Sequence, residues 1–328
     1  MTYKSYKKFI SIIILNIYIF ILSLFIFTNS YGKSCNNINA KHNIVTNPVV
    51  YMGSSKELRV DSVTSQLQQS LLLFSNQTWM AQTPPWSLSL DPQLSQLKGV
   101  VHPNLTDSDG RPVILMNPTS FLEDRYSSLL AHELIHILHK RFRPNEQWWV
   151  KEGVATLGQH LLTCKYSINY DWSYEKTDAS LTFEPKDIDP TQYDLRPHYS
   201  LAQMYFLFIY KSCGAEDLFL NLLNSSSLKV GVEFIDTVLK RSSEENSQLP
   251  VFCSSFADSF KQFQIARYRQ NFFKAEEHIM LTKRFGYAIY ESRQPLAPYS
   301  AIIYEKNQKC DSRDIDFDFA KCLQIRWN

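Results

Sequence analysis

Two histidines four residues apart, with a glutamate beside the first, have the types and spacing to do chemistry in this chain: His132-Glu133-Leu134-Ile135-His136. Four residues on an α-helix is just over one turn, so both imidazoles leave the same face and can grip one cation. Neutral imidazole nitrogen suits Zn²⁺, and two such ligands leave room for a third and for a water. Glu133 lies at the edge of the same site, where a carboxylate can accept a proton as general base. The same residues also allow a plainer arrangement, a hydrogen-bonded pair of core histidines with a glutamate at the rim.

The elements that must position these groups can be read around them. Ser120-Phe121-Leu122-Glu123 fits a capping box, with Ser120 as N-cap and Glu123 reaching back. Leu122, Tyr126, Leu129, Leu130, Leu134, Ile135 and Leu138 then recur at three- and four-residue steps, the mark of a broad apolar helix face. Lys140, Arg141 and Arg143 suit the negative end of the helix dipole, and Pro144 stops it. The spacing predicts a mostly buried helix of roughly five or six turns, with the histidines in its second half.

Asn145 is a good N-cap for a second helix over Glu146 to Leu162. On it Glu152 follows Trp148 and Trp149 by about one turn and precedes Ala155 and Thr156. A carboxylate on that apolar, small-residue side is costly unless paired or bound to a metal. Gly153 and Ala155 would let the helix approach the first closely. Glu152 is thus the candidate third ligand, with an ion pair to a nearby Lys or Arg as its alternative. Glu146, in the first turn, is accounted for by the helix dipole. His160 and His198 are the next candidates for a third ligand. His139 is too far from His132 to join and is expected at the surface or behind the ligands.

His132-Glu133-x-x-His136 followed by Trp148-Trp149-Val150-Lys151-Glu152-Gly153-Val154-Ala155 resembles the gluzincin group of zinc metallopeptidases. That group includes the thermolysin-like enzymes, zinc aminopeptidases, bacterial collagenases and "peptidase MA-like" proteins. The likeness covers residues 112–215. It implies His132, His136 and Glu152 as zinc ligands, and Glu133 as general base and proton shuttle. It also implies an α+β fold in which a small sheet with a substrate-binding edge strand lies over the active-site helix and a second, ligand-bearing helix. Two departures set this chain apart within the group. The gap from His136 to Glu152 is shorter than in thermolysin-like enzymes, and the Gly-x-Met-Glu-Asn stretch of the aminopeptidases is missing.

Before the first helix, Arg111-Pro112-Val113-Ile114-Leu115-Met116-Asn117-Pro118 is a short apolar run after the turn signal Asp107-Ser108-Asp109-Gly110. Proline at both ends suits an edge strand. Edge strands can bind extended peptide by strand addition. Downstream, Arg196-Pro197-His198-Tyr199-Ser200 leads into an apolar helix over Leu201–Tyr210, which Cys213-Gly214 would stop. The resemblance implies a Tyr or His here to hydrogen-bond the oxyanion. Tyr199 is the candidate, with His198 and Tyr205 behind it.

Lys4, Lys7 and Lys8 precede an apolar run from Phe9 to Phe27, and small or polar residues follow to Gly32. That is the layout of a secretory signal peptide cleaved after Gly32, with an uncleaved anchor over residues 9–27 as the alternative. Residues 1–32 hold three of the 34 basic residues and none of the 32 acidic ones, so a chain cleaved there carries −1 rather than +2. With no basic patch, nucleic acid is not an expected partner. A peptide or protein substrate is, and the membrane is met only through the apolar segment. All six cysteines (35, 164, 213, 253, 310 and 322) follow the cleavage point, which favours disulfides, with Cys310–Cys322 the best local pair.

The expected organisation is an N-terminal α/β lobe over 33–110, a zinc-binding catalytic core over 111–245 and an aromatic-rich region over 246–328. Ser225–Ser227 and Ser242–Ser247 read as loops. The expected activity is that of an exported zinc metallopeptidase. A zinc hydrolase of a non-peptide bond and a catalytically silent binding protein on the same fold are the alternatives.

Overall fold

A computed structural model describes residues 49–52, 67, 69–71, 74, 77–94, 99–122, 126–163, 179–185, 194–268, 289–290, 299–305, 315–318 and 321–327. The apolar segment at 9–27, Glu123 and Cys310 lie outside these. The fold class is mixed α+β. Strands β1 (Val49–Met52), β2 (Ser87–Leu90), β3 (Gly99–Thr106) and β4 (Pro112–Met116) form one sheet in the order β1-β2-β4-β3. β1, β2 and β4 are parallel, and β3 runs antiparallel to β4.

The 112–116 strand is therefore interior, correcting its expected place at an edge. Its prolines sit at the first position and beyond the last, where no ladder hydrogen bond is lost. Ile114 and Met116 are fully buried. Among the described residues the edge strands are β1 and β3, and β3 is the one beside β4 and α1. There the register shifts between Val101 and Thr106, around Pro103. Alternation is clear on β2 and β4: Leu88, Leu90, Ile114 and Met116 turn into the main core, and Ser89, Val113 and Leu115 line the other face.

Helix α1 (Tyr126–Phe142) packs against this sheet. It starts later than the capping-box reading expected. Asn117 Oδ1 accepts the Thr119 N–H at 2.9 Å and the Thr119 hydroxyl at 2.7 Å, capping a short 3-10 turn over Pro118–Leu122 instead. Helix α2 (Trp148–Thr163) also starts later, because Pro144 and Asn145 form a turn. Its first N–H, from Trp148, is accepted by the Glu184 carboxylate at 2.8 Å, a cap supplied from 36 residues away rather than by Asn145.

Helix α3 (Arg196–Ser212) begins five residues before the expected apolar stretch, since Pro197 is harmless in a first turn. It ends where expected, at Cys213, with Gly214 at φ 116°. Leu201, Ala202, Met204, Tyr205, Phe206 and Ile209 have no exposed surface, so α3 is buried on most of its faces. Helices α4 (Ala215–Asn224) and α6 (Phe256–Tyr268) pack against it, and α5 (Gly231–Glu245) packs against those two. The expected loop at 242–247 is in part the last turn of α5, because Phe234, Ile235, Val238 and Leu239 carry an apolar stripe on to buried Ser242.

Glycine sets the helix spacing, though not as the sequence suggested. A Cβ at Gly153 would lie 2.1 Å from Phe206 of α3, whereas Gly158 is the residue that meets α1, 2.8 Å from Ile135. The Cys213–Cys253 disulfide ties the end of α3 to the short turn Val251–Ser254. Cys322 is also disulfide-bonded. A second sheet, β5 (Ile289–Tyr290), β6 (Ser300–Glu305), β7 (Ile315–Asp318) and β8 (Lys321–Arg326), has the order β5-β6-β8-β7. It meets α6 through Tyr268, whose hydroxyl donates to the Ala301 carbonyl at 2.6 Å, and through Trp327 packed on Phe260.

Candidate metal centre

His132 and His136 stand one turn apart on α1, and Glu152 faces them from the first half of α2. The His132 and His136 Nε2 atoms are 3.0 Å apart. Glu152 Oε2 lies 3.3 Å from the first and 3.5 Å from the second. Three donor atoms thus converge on one point, and together they could hold a metal ion. The three residues of the expected triad are brought together, with the two imidazoles within hydrogen-bond distance of each other and both facing Glu152.

The electrostatics support convergence. Burial pushes the Glu152 carboxyl up, but His136 and His132 outweigh it and hold it down at about 2. Burial works against a charged His136, yet Glu152, with Glu133 behind it, raises that imidazole. Glu133 is 4% exposed, and its Oε2 accepts the Val101 N–H of β3 at 2.9 Å. Burial raises its carboxyl above the usual range, against the pull of His132, His136 and the Val101 N–H, and Glu152 adds to the rise. A buried carboxylate beside the triad with a raised affinity for protons has the character of a general base.

Tyr199 stands in the first turn of α3 with its ring edge-on to Trp148, the centroids 4.7 Å apart. Burial first, and then Glu152 and Glu133, push its phenol up, against a side-chain hydrogen bond with Trp148. It is therefore a protonated donor near both carboxylates.

The neighbouring candidates have other work. His198 is buried, with Nδ1 2.7 Å from the Ser180 carbonyl and its ring stacked on Phe183 at 4.1 Å. A carbonyl only accepts, so Nδ1 carries the proton. Tyr205 exchanges a 2.8 Å hydrogen bond with Ser259 inside a cluster of Trp149, Phe256 and Phe263. His160 is not among the three converging donors. His139, expected at the surface or behind the ligands, is 1% exposed between helices, and burial pushes it down to about 3.

Glu146 corrects a further expectation. It lies before α2, is 3% exposed, and pairs with Arg143 through Nε at 2.8 Å and Nη2 at 2.6 Å. Its other oxygen accepts the Gly231 N–H at 2.6 Å and the Gln147 N–H at 2.9 Å. The Arg143 guanidinium lies 3.4 Å over the Phe234 ring and donates to the carbonyls of Ser225, Ser227 and Lys229. This network docks α5 against the junction between α1 and α2.

Nothing in the residue pattern pointed to Val101 or Glu184 as parts of the site, and Trp148 was marked only as a neighbour of Glu152 in the motif. Val101 acts through a main-chain N–H that any residue but proline would provide, and Glu184 is joined to α2 only by the fold. No model of a known family and no curated protein matches this chain.

Proposed function

We propose that this chain is a zinc-dependent metallopeptidase of gluzincin type, exported from the cell and acting on a peptide or protein substrate. The observation that carries the reading is the spacing of the three donors, 3.0, 3.3 and 3.5 Å. Ligand bonds of about 2.0–2.1 Å directed to the corners of a tetrahedron put donor atoms about 3.3–3.4 Å apart. Two imidazoles and a carboxylate are the donor set of zinc hydrolases that keep a fourth position open. Bound there, Zn²⁺ would supply Lewis-acid polarisation of the scissile carbonyl and make water a competent nucleophile near neutral pH.

The chain's own groups divide the remaining work. Glu133 accepts the proton of the attacking water and returns it to the leaving amine. Tyr199, kept protonated, donates a hydrogen bond to the oxyanion. The exposed edge of β3 takes extended substrate by strand addition. Cys213–Cys253 favours an oxidising compartment, in keeping with export.

Metal analysis after dialysis, together with cleavage of a peptide library by the purified chain with and without chelator, tests the reading. One zinc per chain and chelator-sensitive cleavage support it. A full zinc load with no peptide cleaved would leave the metal site and remove the peptidase.

A further inference from the structure

Glu133 has two carboxylate oxygens, and the fold commits one of them. Oε2 accepts the N–H of Val101 at 2.9 Å. In an antiparallel ladder successive residues turn their N–H groups alternately toward the partner strand and away from it. Val101 stands opposite Ile114 of β4 but sends its N–H to the helix instead. A main-chain donor inside a paired strand cannot rotate away, so it fixes its acceptor more firmly than a side chain would.

Close approach of strand and helix makes this contact possible. Gly99 precedes Val101 by two residues, and a Cβ there would lie 3.1 Å from Leu129 of α1. Leu129 is one turn before Glu133 on the same helix. Glu133 is almost wholly buried, so bulk water does not compete for the bond.

We propose that the Val101 N–H is a positioning group for Glu133. It holds Oε2 against the sheet edge and leaves Oε1 for the side of His132, His136 and Glu152, so that the placement of β3 sets the aim of the carboxylate. The proposal rests on the peptidase reading only in naming Glu133 the base.

Amide hydrogen exchange on the full chain tests the bond without any substrate. In Glu133→Ala the Val101 amide should exchange at least about ten-fold faster, since its acceptor is gone. In Glu133→Gln, whose amide oxygen still accepts, Val101 should keep its protection, and Val100 should be unchanged in both. Unaltered exchange at Val101 in Glu133→Ala overturns the proposal.

The consequence for catalysis is read on the library peptide cleaved fastest by the unmodified chain. Val101→Pro deletes the donor, and Gly99→Val pushes the strand off α1. Each should lower kcat roughly 10- to 100-fold while bound metal stays at the unmodified stoichiometry. Adding Leu129→Ala to Gly99→Val should recover kcat by restoring the approach. Wild-type kcat in a folded Val101→Pro, or in Gly99→Val alone, overturns the positioning role. A chain that cleaves no peptide sinks the peptidase reading, and the exchange measurement still decides whether Val101 holds Glu133.

Discussion

Glu146 and Glu152, six residues apart, show at the residue scale how position decides what a carboxylate does. Among the described residues, the close polar partners of the Glu152 side chain are the two imidazoles, at 3.3 and 3.5 Å. Glu146 has a guanidinium and two backbone donors. Glu152→Ala is therefore expected to lose most metal under mild chelation while remaining folded. Glu146→Ala is expected to fold poorly, because it strands Arg143 in the interior at a cost of about 3–5 kcal/mol. Metal stoichiometry and urea midpoints on both variants separate the two effects, and the opposite pattern would reverse the assignments. Glu133→Gln should retain metal and lose about 10²–10⁴-fold in peptide turnover, as expected when a general base becomes a group that can accept a hydrogen bond but no proton. Near wild-type turnover in that variant would remove Glu133 from the mechanism.

Between elements, the spacing of α2 from its neighbours is set by side chains that are missing. Gly153 adjoins the candidate ligand Glu152 and accommodates the Phe206 ring, with no room for even a methyl group. Gly153→Val should destabilise the fold by about 1–3 kcal/mol through overpacking and weaken metal retention by shifting Glu152. Combining it with Phe206→Ala should recover part of both losses, a coupling that a double-mutant cycle measures directly. Additive losses would show that Phe206 is not what Gly153 accommodates. The Glu184 cap on α2 is an equally specific link, since it ties the 179–185 segment to the helix that carries Glu152. Phe183 of that segment packs against Trp148, which in turn meets Tyr199.

For the whole molecule, stability should depend on redox state and on pH. The Cys213–Cys253 bridge spans 40 residues, and closing a loop of that length stabilises by ~4 kcal/mol in the chain-entropy account. Cys213→Ser with Cys253→Ser should lower the thermal midpoint accordingly, and an unchanged midpoint would refute the estimate. Acid should also destabilise the fold. Burial holds His139 down at about 3, and burial with Lys211 holds His160 at about 4, both well below the ordinary 6.5. Between those values the unfolded chain binds protons that the folded chain refuses. Their contribution is thus complete above about pH 6.5 and is lost as pH falls toward 4 and below. Thermal midpoints between pH 7 and 4.5 should fall, and less steeply in His139→Leu. Parallel curves for the two proteins would mean that His139 is not buried neutral.

His132, Glu133, His136 and Glu152 were legible in the sequence because their information is local. One helical turn puts two imidazoles on a face whatever the surroundings, and a carboxylate among tryptophans and small residues needs a partner in almost any fold. The apolar helix over Leu201–Tyr210 followed from the same short-range patterns, and the α+β class from the resemblance that these residues carry. The partners across the fold did not follow. Tertiary pairing alone put β4 inside the sheet and β3 at an edge, since a run bounded by prolines reads the same in either place. It also chose Cys253 for Cys213, capped α2 with Glu184, and turned Gly153 toward α3 rather than α1. Each of these joins residues far apart in the chain, or a side chain to a main-chain group, and depends on which faces are left to be buried once all the helices and strands compete for one core.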